Sequence, residues 1–361
     1  MEINELLKLV VDKEASDLHL RVPSPPVLRI DGELVPQLDL PPVTAKDLEK
    51  VFEDIAGPEQ RETFLKEKDL DFAYSVPGLA RFRVNVMRQR GTISLCFRMV
   101  PFRVLSIDEL GLPEMCKELI LKPRGLILVT GPTGSGKSTT MAAMINHLNE
   151  NSRRNIIVIE DPIEYLHDNK KCLIAQRDLG DDTKSFDVAL RHGLRHDPDV
   201  IVVGEMRDLP TMATAIRAAE TGHLVMGTLH TIDTTQTVDR IIDMFPSDQQ
   251  YQIRLQLSQI IVAVLSQALL PRTEGKGRIA AFEIMIANTA VRNLIREGKT
   301  FELHNVLQLH SNDGMQTLDQ ALAGLVRMKL VGPEEAMMKS SHPERLEKLL
   351  EFHFPAAKCL V

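Results

Sequence analysis

The sequence has no tryptophan, and aromatic residues make up only 4% of its 361 residues. A hydrophobic core must therefore be built from leucine, isoleucine, valine and methionine. No uncharged apolar stretch reaches the roughly 20 residues that a membrane-spanning helix needs, so we expect no transmembrane segment. The first residues, MEINELLKLVVDKEASD, have no basic region ahead of an apolar one, so we expect no secretory signal peptide.

Cysteines are few, and an excess of positive charge is absent. Cys96, Cys116, Cys172 and Cys359 are scattered and form no C-x-x-C pair. This spacing predicts neither a zinc site nor a disulfide framework, and it favours a reducing, cytoplasmic compartment. The formal net charge of −7 argues weakly against a protein that coats nucleic acid.

The chain has 361 residues, which is more than one domain with a single hydrophobic core usually contains and is typical of two domains. In residues 1–100, an amphipathic helix precedes short runs in which apolar and polar residues alternate, as in ARFRVNV. Such alternation is typical of strands with one buried face, so we expect a small α+β domain with an antiparallel sheet. Gly91 is predicted to turn the last run into a hairpin. We interpret residues 101–124, with a short helix near 114–121, as a linker.

The pattern changes in residues 125–361, which we expect to form the second domain. The continuous apolar runs GLILVTG, NIIVIEDP, DVIVVGE and HLVMGTLHT are each followed by a polar turn or a helical pattern. Such runs are typical of buried parallel strands, so the predicted fold class is α/β. From about Ser247 onwards we expect mostly helix, including one long amphipathic helix from Ile253 through Leu265.

A phosphate-binding loop follows the first of these strands. Residues 131–138, GPTGSGKS, match G-x-x-x-x-G-K-[ST] and lie between a strand and a helix, as the motif requires. The glycines let backbone N–H groups face phosphate oxygens, Lys137 can reach the β- and γ-phosphates, and Ser138 can bind Mg²⁺. ATP and Mg²⁺ are therefore the predicted cofactors. The predicted nucleotide-binding residues are Gly131, Pro132, Thr133, Gly134, Ser135, Gly136, Lys137, Ser138 and Thr139.

Hydrolysis also needs a carboxylate that orients or deprotonates water. The run DVIVVGEMRD resembles a Walker B strand, except that Gly204 stands where an aspartate usually helps to hold the metal. Glu205 is the first choice for the water-activating carboxylate. Glu164, in EDPIEYLH, is the second choice for a catalytic or metal-shell role. We interpret Arg207 and Asp208 as a simple surface ion pair.

Two histidines flank the fourth apolar run. Seven residues separate His223 from His230, so they point to opposite faces of one strand and cannot form a local metal pair. His230 lies at the end where the nucleotide is expected, and its ring can hydrogen-bond the γ-phosphate and detect its loss.

Four sequence boxes in a fixed order resemble the secretion-type ATPases that drive type II secretion and type IV pili. The boxes are GPTGSGKST, EDPIEYLH, DPDVIVVGEMRD and GHLVMGTLHT, and the glycine–glutamate departure in the third is itself a pattern of that family. The resemblance also covers EASDLHLRV and LRIDGEL near the N-terminus. AVRNLIREGKT (290–300) and GMQTLDQALAGLV (314–326) are similar to the retraction branch, the twitching-motility ATPases.

This resemblance implies a PAS-like N-terminal domain followed by a RecA-like domain, assembled as a homohexamer with nucleotide held between domains. It implies that Arg83 and Arg98 deliver positive charge to the γ-phosphate across a domain or subunit boundary, with Arg278 as a further basic residue near the site. It also implies a position at the cytoplasmic face of the inner membrane, against the pilus platform protein. The AVRNLIREGKT helix would serve pilus retraction rather than hydrolysis.

Four alternatives remain open. The chain could be an accessory retraction paralogue, or a pilus-assembly or type II secretion ATPase, although it lacks the tetracysteine zinc module usual in that branch. A nucleic-acid motor is disfavoured by the acidic net charge and by the lack of interleaved aromatic and basic residues. A nucleotide-gated switch protein with little turnover is disfavoured by the intact Lys137 and Glu205.

Overall fold

The computed structural model describes residues 2–30, 32–100, 103–274 and 277–351. The chain divides into two compact units. Unit 1 comprises Met1–Arg103, Glu164–Leu166 and Gly180–Asp182, and unit 2 comprises Val104–Ile163, His167–Leu179 and Thr183–Val361. Most of the segment predicted as a linker therefore belongs to unit 2. The predicted short helix is present there as Met115–Ile120, and its Leu119 and Ile120 are buried.

Unit 1 is built on a six-stranded antiparallel sheet with the strand order β3-β2-β1-β6-β5-β4. Its strands are β1 (Asp17–Leu20), β2 (Val27–Ile30), β3 (Glu33–Pro36), β4 (Asp69–Val76), β5 (Ala80–Gln89) and β6 (Thr92–Val100), and its helices are α1 (Ile3–Asp12), α2 (Ala45–Ile55) and α3 (Pro58–Glu67). The hairpin predicted at Gly91 is confirmed, because this glycine adopts a φ of 82° between β5 and β6.

The core of unit 1 lies on one face of this sheet. In β5, Phe82, Val84 and Val86 are fully buried, whereas the residues between them face the other side. The helix α2 buries Leu48, Val51, Phe52 and Ile55, the spacing of one helical face, and a capping box of Thr44 and Asp47 starts it. The opposite face of the sheet holds several charged side chains, among them Arg81, Arg83 and Arg98.

Unit 2 contains a seven-stranded sheet with the order β13-β12-β7-β11-β10-β8-β9. All its neighbouring strands are parallel except the pair of β12 and β13. The strands are β7 (Gly125–Thr130), β8 (Asn155–Glu160), β9 (Leu173–Asp178), β10 (Val200–Val203), β11 (Leu224–Leu229), β12 (Ile261–Pro271) and β13 (Arg278–Ile286). The four predicted parallel strands are confirmed as β7, β8, β10 and β11. The strands β9, β12 and β13 were not predicted, and the last two interrupt the stretch after Ser247 that was expected to be mostly helix.

Helices cover this sheet, and most of them follow the strands as predicted. They are α4 (Met115–Ile120), α5 (Lys137–Asn151), α6 (Phe186–Gly193), α7 (Leu209–Glu220), α8 (Thr234–Asp243), α9 (Gln250–Ile260), α10 (Thr289–Glu297), α11 (Leu303–Leu309), α12 (Leu318–Arg327), α13 (Pro333–Lys339) and α14 (Pro343–Glu351), with short 3₁₀ turns at Thr300–Glu302 and Ser311–Asp313. The predicted α/β fold class is confirmed by this architecture.

The long helix predicted from Ile253 through Leu265 is wrong beyond Ile260. The helix α9 ends there, and Ile261 begins β12, which pairs with β7 on one side and β13 on the other. The run IVAVLSQALL is apolar at nearly every position, so a helical spacing can be found in it although no polar face is present. Burial between two neighbouring strands favours the extended conformation for such a run.

No helix in the described ranges is long and apolar enough to cross a membrane. Cys96, Cys116 and Cys172 are free thiols, and Cys359 lies outside the described residues.

Candidate active site

The phosphate-binding loop leaves the central, fully buried strand β7 at Gly131. This residue has a φ of 140°, and a Cβ atom added to it would lie 2.4 Å from the carbonyl oxygen of Gln267. Both the backbone conformation and the close approach of β12 therefore require glycine. The N–H of Gly131 donates to the carbonyl of Leu229 at 3.3 Å, which ties the loop to the end of β11.

The loop presents hydrogen-bond donors suited to phosphate. Lys137 is buried, and its Nζ donates to the carbonyl oxygens of Gly131 at 2.8 Å and Pro132 at 3.0 Å, so the ammonium group lies over the loop. The N-cap of α5 is Gly136, which has no side chain to satisfy the first N–H groups of the helix. The buried hydroxyl of Ser135 has no hydrogen-bond partner among the described residues. These features fit the phosphates of a nucleoside triphosphate.

Gln267, in β12, packs against the phosphate-binding loop at Gly131 and Gly136. This contact was not predicted from the sequence. The buried Oε1 of Gln267 accepts a hydrogen bond from the hydroxyl of Thr140, in α5, at 2.8 Å. The neighbouring Ser266 hydroxyl hydrogen-bonds that of Thr130 at 2.8 Å, directly before the loop. The sequence does contain a sign of these contacts, because Ser266 and Gln267 are the two polar residues in the apolar run IVAVLSQALL. Buried polar side chains need hydrogen-bond partners, so such residues indicate a contact with another polar group.

Glu205 and His230 lie together at the edge where the loop begins. The strands β7, β11 and β10 are adjacent and parallel, so the residues that follow them meet at one edge of the sheet. Glu205 comes two residues after β10, and His230 comes directly after β11. Their side chains are in contact, with 2.8 Å between Nε2 of His230 and Oε1 of Glu205.

Arg207 is the second partner of Glu205, which corrects the predicted surface pair of Arg207 and Asp208. The carboxylate of Asp208 instead caps α7 by accepting from the N–H of Thr211 at 2.8 Å. Burial raises the pKa of the Glu205 carboxyl, but the hydrogen bond from Arg207 and the charges of His230 and Arg207 outweigh burial and lower that pKa. Glu205 is therefore ionised at neutral pH and can accept a proton or a hydrogen bond from water.

The backbone of β8 lies close to Gly204, which stands in the Walker B position, so a side chain there would be crowded. A Cβ atom there would lie 3.1 Å from the carbonyl oxygen of Ile159 and 3.2 Å from Cα of Glu160, and the Gly204 N–H donates to that same carbonyl at 2.7 Å. No group of three or more His, Cys, Asp or Glu residues in the described part of the chain could hold a metal. Ser138, half-buried in the first turn of α5, fits Mg²⁺, an ion that keeps several water ligands and binds phosphate oxygens.

The predicted arginines lie in unit 1, on the polar face of its sheet. Arg83 in β5 and Arg98 in β6 are paired directly across the two strands. Nε of Arg98 donates to the buried carboxylate of Asp17 at 2.8 Å. Nε of Arg83 lies 3.7 Å from Oδ1 of Asp71. Burial raises the pKa of Asp17, but hydrogen bonds from Ser16 and Arg98 and the charge of Arg98 lower it below its ordinary value. The structure thus brings the two arginines together.

The remaining predicted residues are more dispersed. Glu164 is exposed in the loop after β8 and is grouped with unit 1. Arg278 begins β13 opposite Pro271, the last residue of β12. His223 precedes β11 at the end of the sheet away from the loop, and its Nδ1 lies 3.0 Å from the carbonyl oxygen of Ala218. His223 and His230 therefore form no local pair, as predicted.

A mainly parallel sheet with a complete phosphate-binding loop after β7 and a glutamate after β10, two strands away, defines a P-loop ATPase. Residues 2–337 match the family described as Type II/IV secretion system protein, and the chain belongs to this family. The chain is 48% identical over 344 residues to the type IV pilus retraction ATPase PilT of Pseudomonas aeruginosa, covering 95% of this chain and 99% of that one.

Two further comparisons agree. The chain is 47% identical over 321 residues to a twitching motility protein of Neisseria gonorrhoeae, covering 89% of this chain and 86% of that one. It is similar to a crystal structure of the pilus retraction motor PilT with bound ADP, with a TM-score of 0.90 and 46% identity over 96% of this chain and 99% of that one. The expected membership of the secretion-type ATPases and the resemblance to their retraction branch are confirmed.

Proposed function

We propose that this chain is the ATP-hydrolysing subunit of a motor that powers retraction of type IV pili. Its similarity to PilT spans nearly the full length of both chains, in sequence and in fold. The catalytic part of this proposal rests on the contact between His230 and the ionised Glu205. This contact lies at the edge of the sheet where the phosphate-binding loop begins. The helix α10 contains residues 290–297 of the AVRNLIREGKT stretch, and the similarity of this stretch to the twitching-motility ATPases favours the retraction branch.

The proposed chemistry assigns each group one task. The loop from Gly131 to Thr139 holds the phosphates of ATP, with Lys137 neutralising charge on the β- and γ-phosphates. Mg²⁺, when bound, supplies further positive charge to the phosphates, and Ser138 would be its protein ligand. Glu205 orients and polarises the attacking water, while His230 holds Glu205 and responds to loss of the γ-phosphate.

Other parts of the proposal rest on the family resemblance. Arg83 and Arg98 would stabilise the transition state from the N-terminal domain of the same or a neighbouring subunit, and Glu164 would support catalysis or the metal shell. Domains 1–100 and 125–361, connected through residues 101–124, would form a homohexamer. That ring would act in the cytoplasm, against the platform protein of the inner membrane, without zinc and without nucleic acid.

The test is complementation of a piliated bacterium that lacks its retraction ATPase. We expect the wild-type chain to restore twitching and reduce the number of surface pili. Lys137→Gln should restore neither, because it removes the ammonium group that contacts the phosphates. Arg296→Ala, on the exposed side of α10, should keep ATPase activity and lose retraction.

Each alternative function predicts a different result. Restoration only when a second retraction ATPase is present would indicate an accessory paralogue, whereas more surface pili would indicate an assembly motor. ATPase activity that rises severalfold with DNA would indicate a nucleic-acid motor. A purified chain that binds ATP without turnover, alone and with membranes that contain the platform protein, would indicate a switch protein.

A further inference from the structure

Glu283 is a buried carboxylate to which the proposed chemistry gives no role. It lies in the middle of β13, opposite Ser266 of β12, and is only 4% exposed. Burying a carboxylate is costly unless donors surround it, and burial raises the pKa of Glu283 against the effect of its hydrogen bonds. The donors that Glu283 contacts therefore show what the side chain holds in place.

Two of those donors belong to one residue of α8. Oε1 of Glu283 accepts hydrogen bonds from the backbone N–H and from the hydroxyl of Thr234, both at 2.8 Å. The backbone of Leu318, at the start of α12, also favours the charged form of this carboxylate and so opposes the rise in its pKa. Thr234 is the first residue of α8, directly after the N-cap Asp233, so Glu283 holds the chain at the place where this helix begins.

The beginning of α8 lies only four residues after His230. The carbonyl of Leu229, directly before the histidine, accepts from Gly131 of the phosphate-binding loop. On the other side, the hydroxyls of Thr231 and Thr237 are 2.6 Å apart. The short connection from His230 to α8 is thus anchored to the loop at one end and to Glu283, through Thr234, at the other.

We propose that Glu283 is a positioning residue for His230. By holding Thr234 it fixes the connection at a place where the histidine ring reaches Glu205, although Glu283 itself touches neither of these residues. A short segment with two fixed ends has few conformations, so loosening one end lets the ring move away from its 2.8 Å contact. This inference rests on the proposed roles of His230 and Glu205.

The test compares Thr234→Val with Thr211→Val in the full chain. Both threonines are buried near the start of a helix, but the Thr211 hydroxyl has no hydrogen-bond partner within the described ranges. We expect Thr234→Val to lower kcat about tenfold, the equivalent of one charge-assisted hydrogen bond, with KM for ATP within twofold. Thr211→Val should leave both values near wild type. An unchanged kcat for Thr234→Val would overturn the inference.

A double-variant cycle separates positioning from general stability. If Glu283 acts through His230, then Thr234→Val should lower kcat no further in a His230→Ala background. A loss that multiplies with that of His230→Ala would contradict positioning. Glu283→Gln, which keeps one acceptor oxygen, should fall between wild type and Thr234→Val, and if it fails to fold, the threonine variants decide the question.

Different variants test the catalytic role of His230 and the positioning role of Glu283. If His230→Ala alone keeps full kcat, the catalytic role of His230 is wrong and the positioning inference falls with it. If His230→Ala is impaired while Thr234→Val is not, the catalytic role stands and only the assignment of Glu283 is refuted.

Discussion

Replacement of Glu205 by glutamine tests the centre of the proposed reaction. Glutamine has the same shape and can still hydrogen-bond His230, but it cannot take a proton from water. General-base catalysis contributes about a hundredfold to ten-thousandfold, so kcat should fall by that factor. This fall corresponds to an activation barrier higher by about 2.7–5.4 kcal/mol. The lowered pKa of Glu205 means that the wild-type residue is already ionised at neutral pH, so the full effect should appear at pH 7.

Stability should change little in the same variant. The Glu205 side chain is 18% exposed and its partner Arg207 is 70% exposed, so their ion pair is well solvated and is worth at most about 1 kcal/mol. For a unit of this size that corresponds to a melting temperature lower by about 2–4 °C. Loss of turnover can therefore be separated from loss of folding.

The assay is steady-state phosphate release by the purified chain, together with ATP affinity from a fluorescent analogue and a thermal melt. Glu150→Gln is the matched control, since Glu150 also loses an ion pair, with Lys170 at 2.6 Å. It lies about 20 Å along α5 from Lys137, at 1.5 Å per residue. If Glu205→Gln keeps kcat within about threefold of wild type while it binds ATP, the reasoning is refuted and Glu164→Gln becomes the next variant.

Three other predictions follow from the same structure. Lys137→Gln should weaken ATP binding at least about a hundredfold, measured by the fluorescent analogue, because it removes the ammonium group from the loop. Gln267→Ala should lower the unfolding free energy by about 1–3 kcal/mol in urea, because the buried Thr140 hydroxyl loses its acceptor, and an unchanged midpoint would contradict the bracing role. The pKa of Asp17 is lowered in the folded chain, so its ion pair with Arg98 should stabilise the fold above about pH 4 and lose this effect as the pH falls further. Asp17→Asn should therefore lower the urea midpoint at pH 7 and have less effect below pH 4, and a difference independent of pH would contradict this account.

Features that depend on neighbouring residues could be predicted from the sequence. The glycines, lysine and serine of residues 131–138 lie within one turn and the start of one helix, so their spacing alone predicts how they fold. The four buried parallel strands were found for the same reason, since each is a short apolar run bounded by turns. Because such strands end at one edge of the sheet, Glu205 and His230 could be expected near the loop.

Features that depend on distant residues needed the tertiary structure. The run after Ile260 is compatible with either a helix or a strand, and its pairing with β7 and β13 decides for the strand. The acceptor of Thr140 lies 127 residues away, and that of Thr234 lies 49 residues away. No local pattern specifies which buried polar groups will meet over such separations, because the meeting depends on how the sheet stacks the strands.

The sequence by itself therefore determined the fold class and the position of the phosphate-binding loop, and it indicated Glu205 as the first choice for the water-activating carboxylate. All three follow from short-range periodicity and motif spacing. Only the tertiary structure decided that Arg207 pairs with Glu205, that the backbone of β8 crowds Gly204, and that Glu283 holds the start of α8. The physical reason is that partner choice, crowding and burial are properties of surfaces that come together only when the strands have assembled.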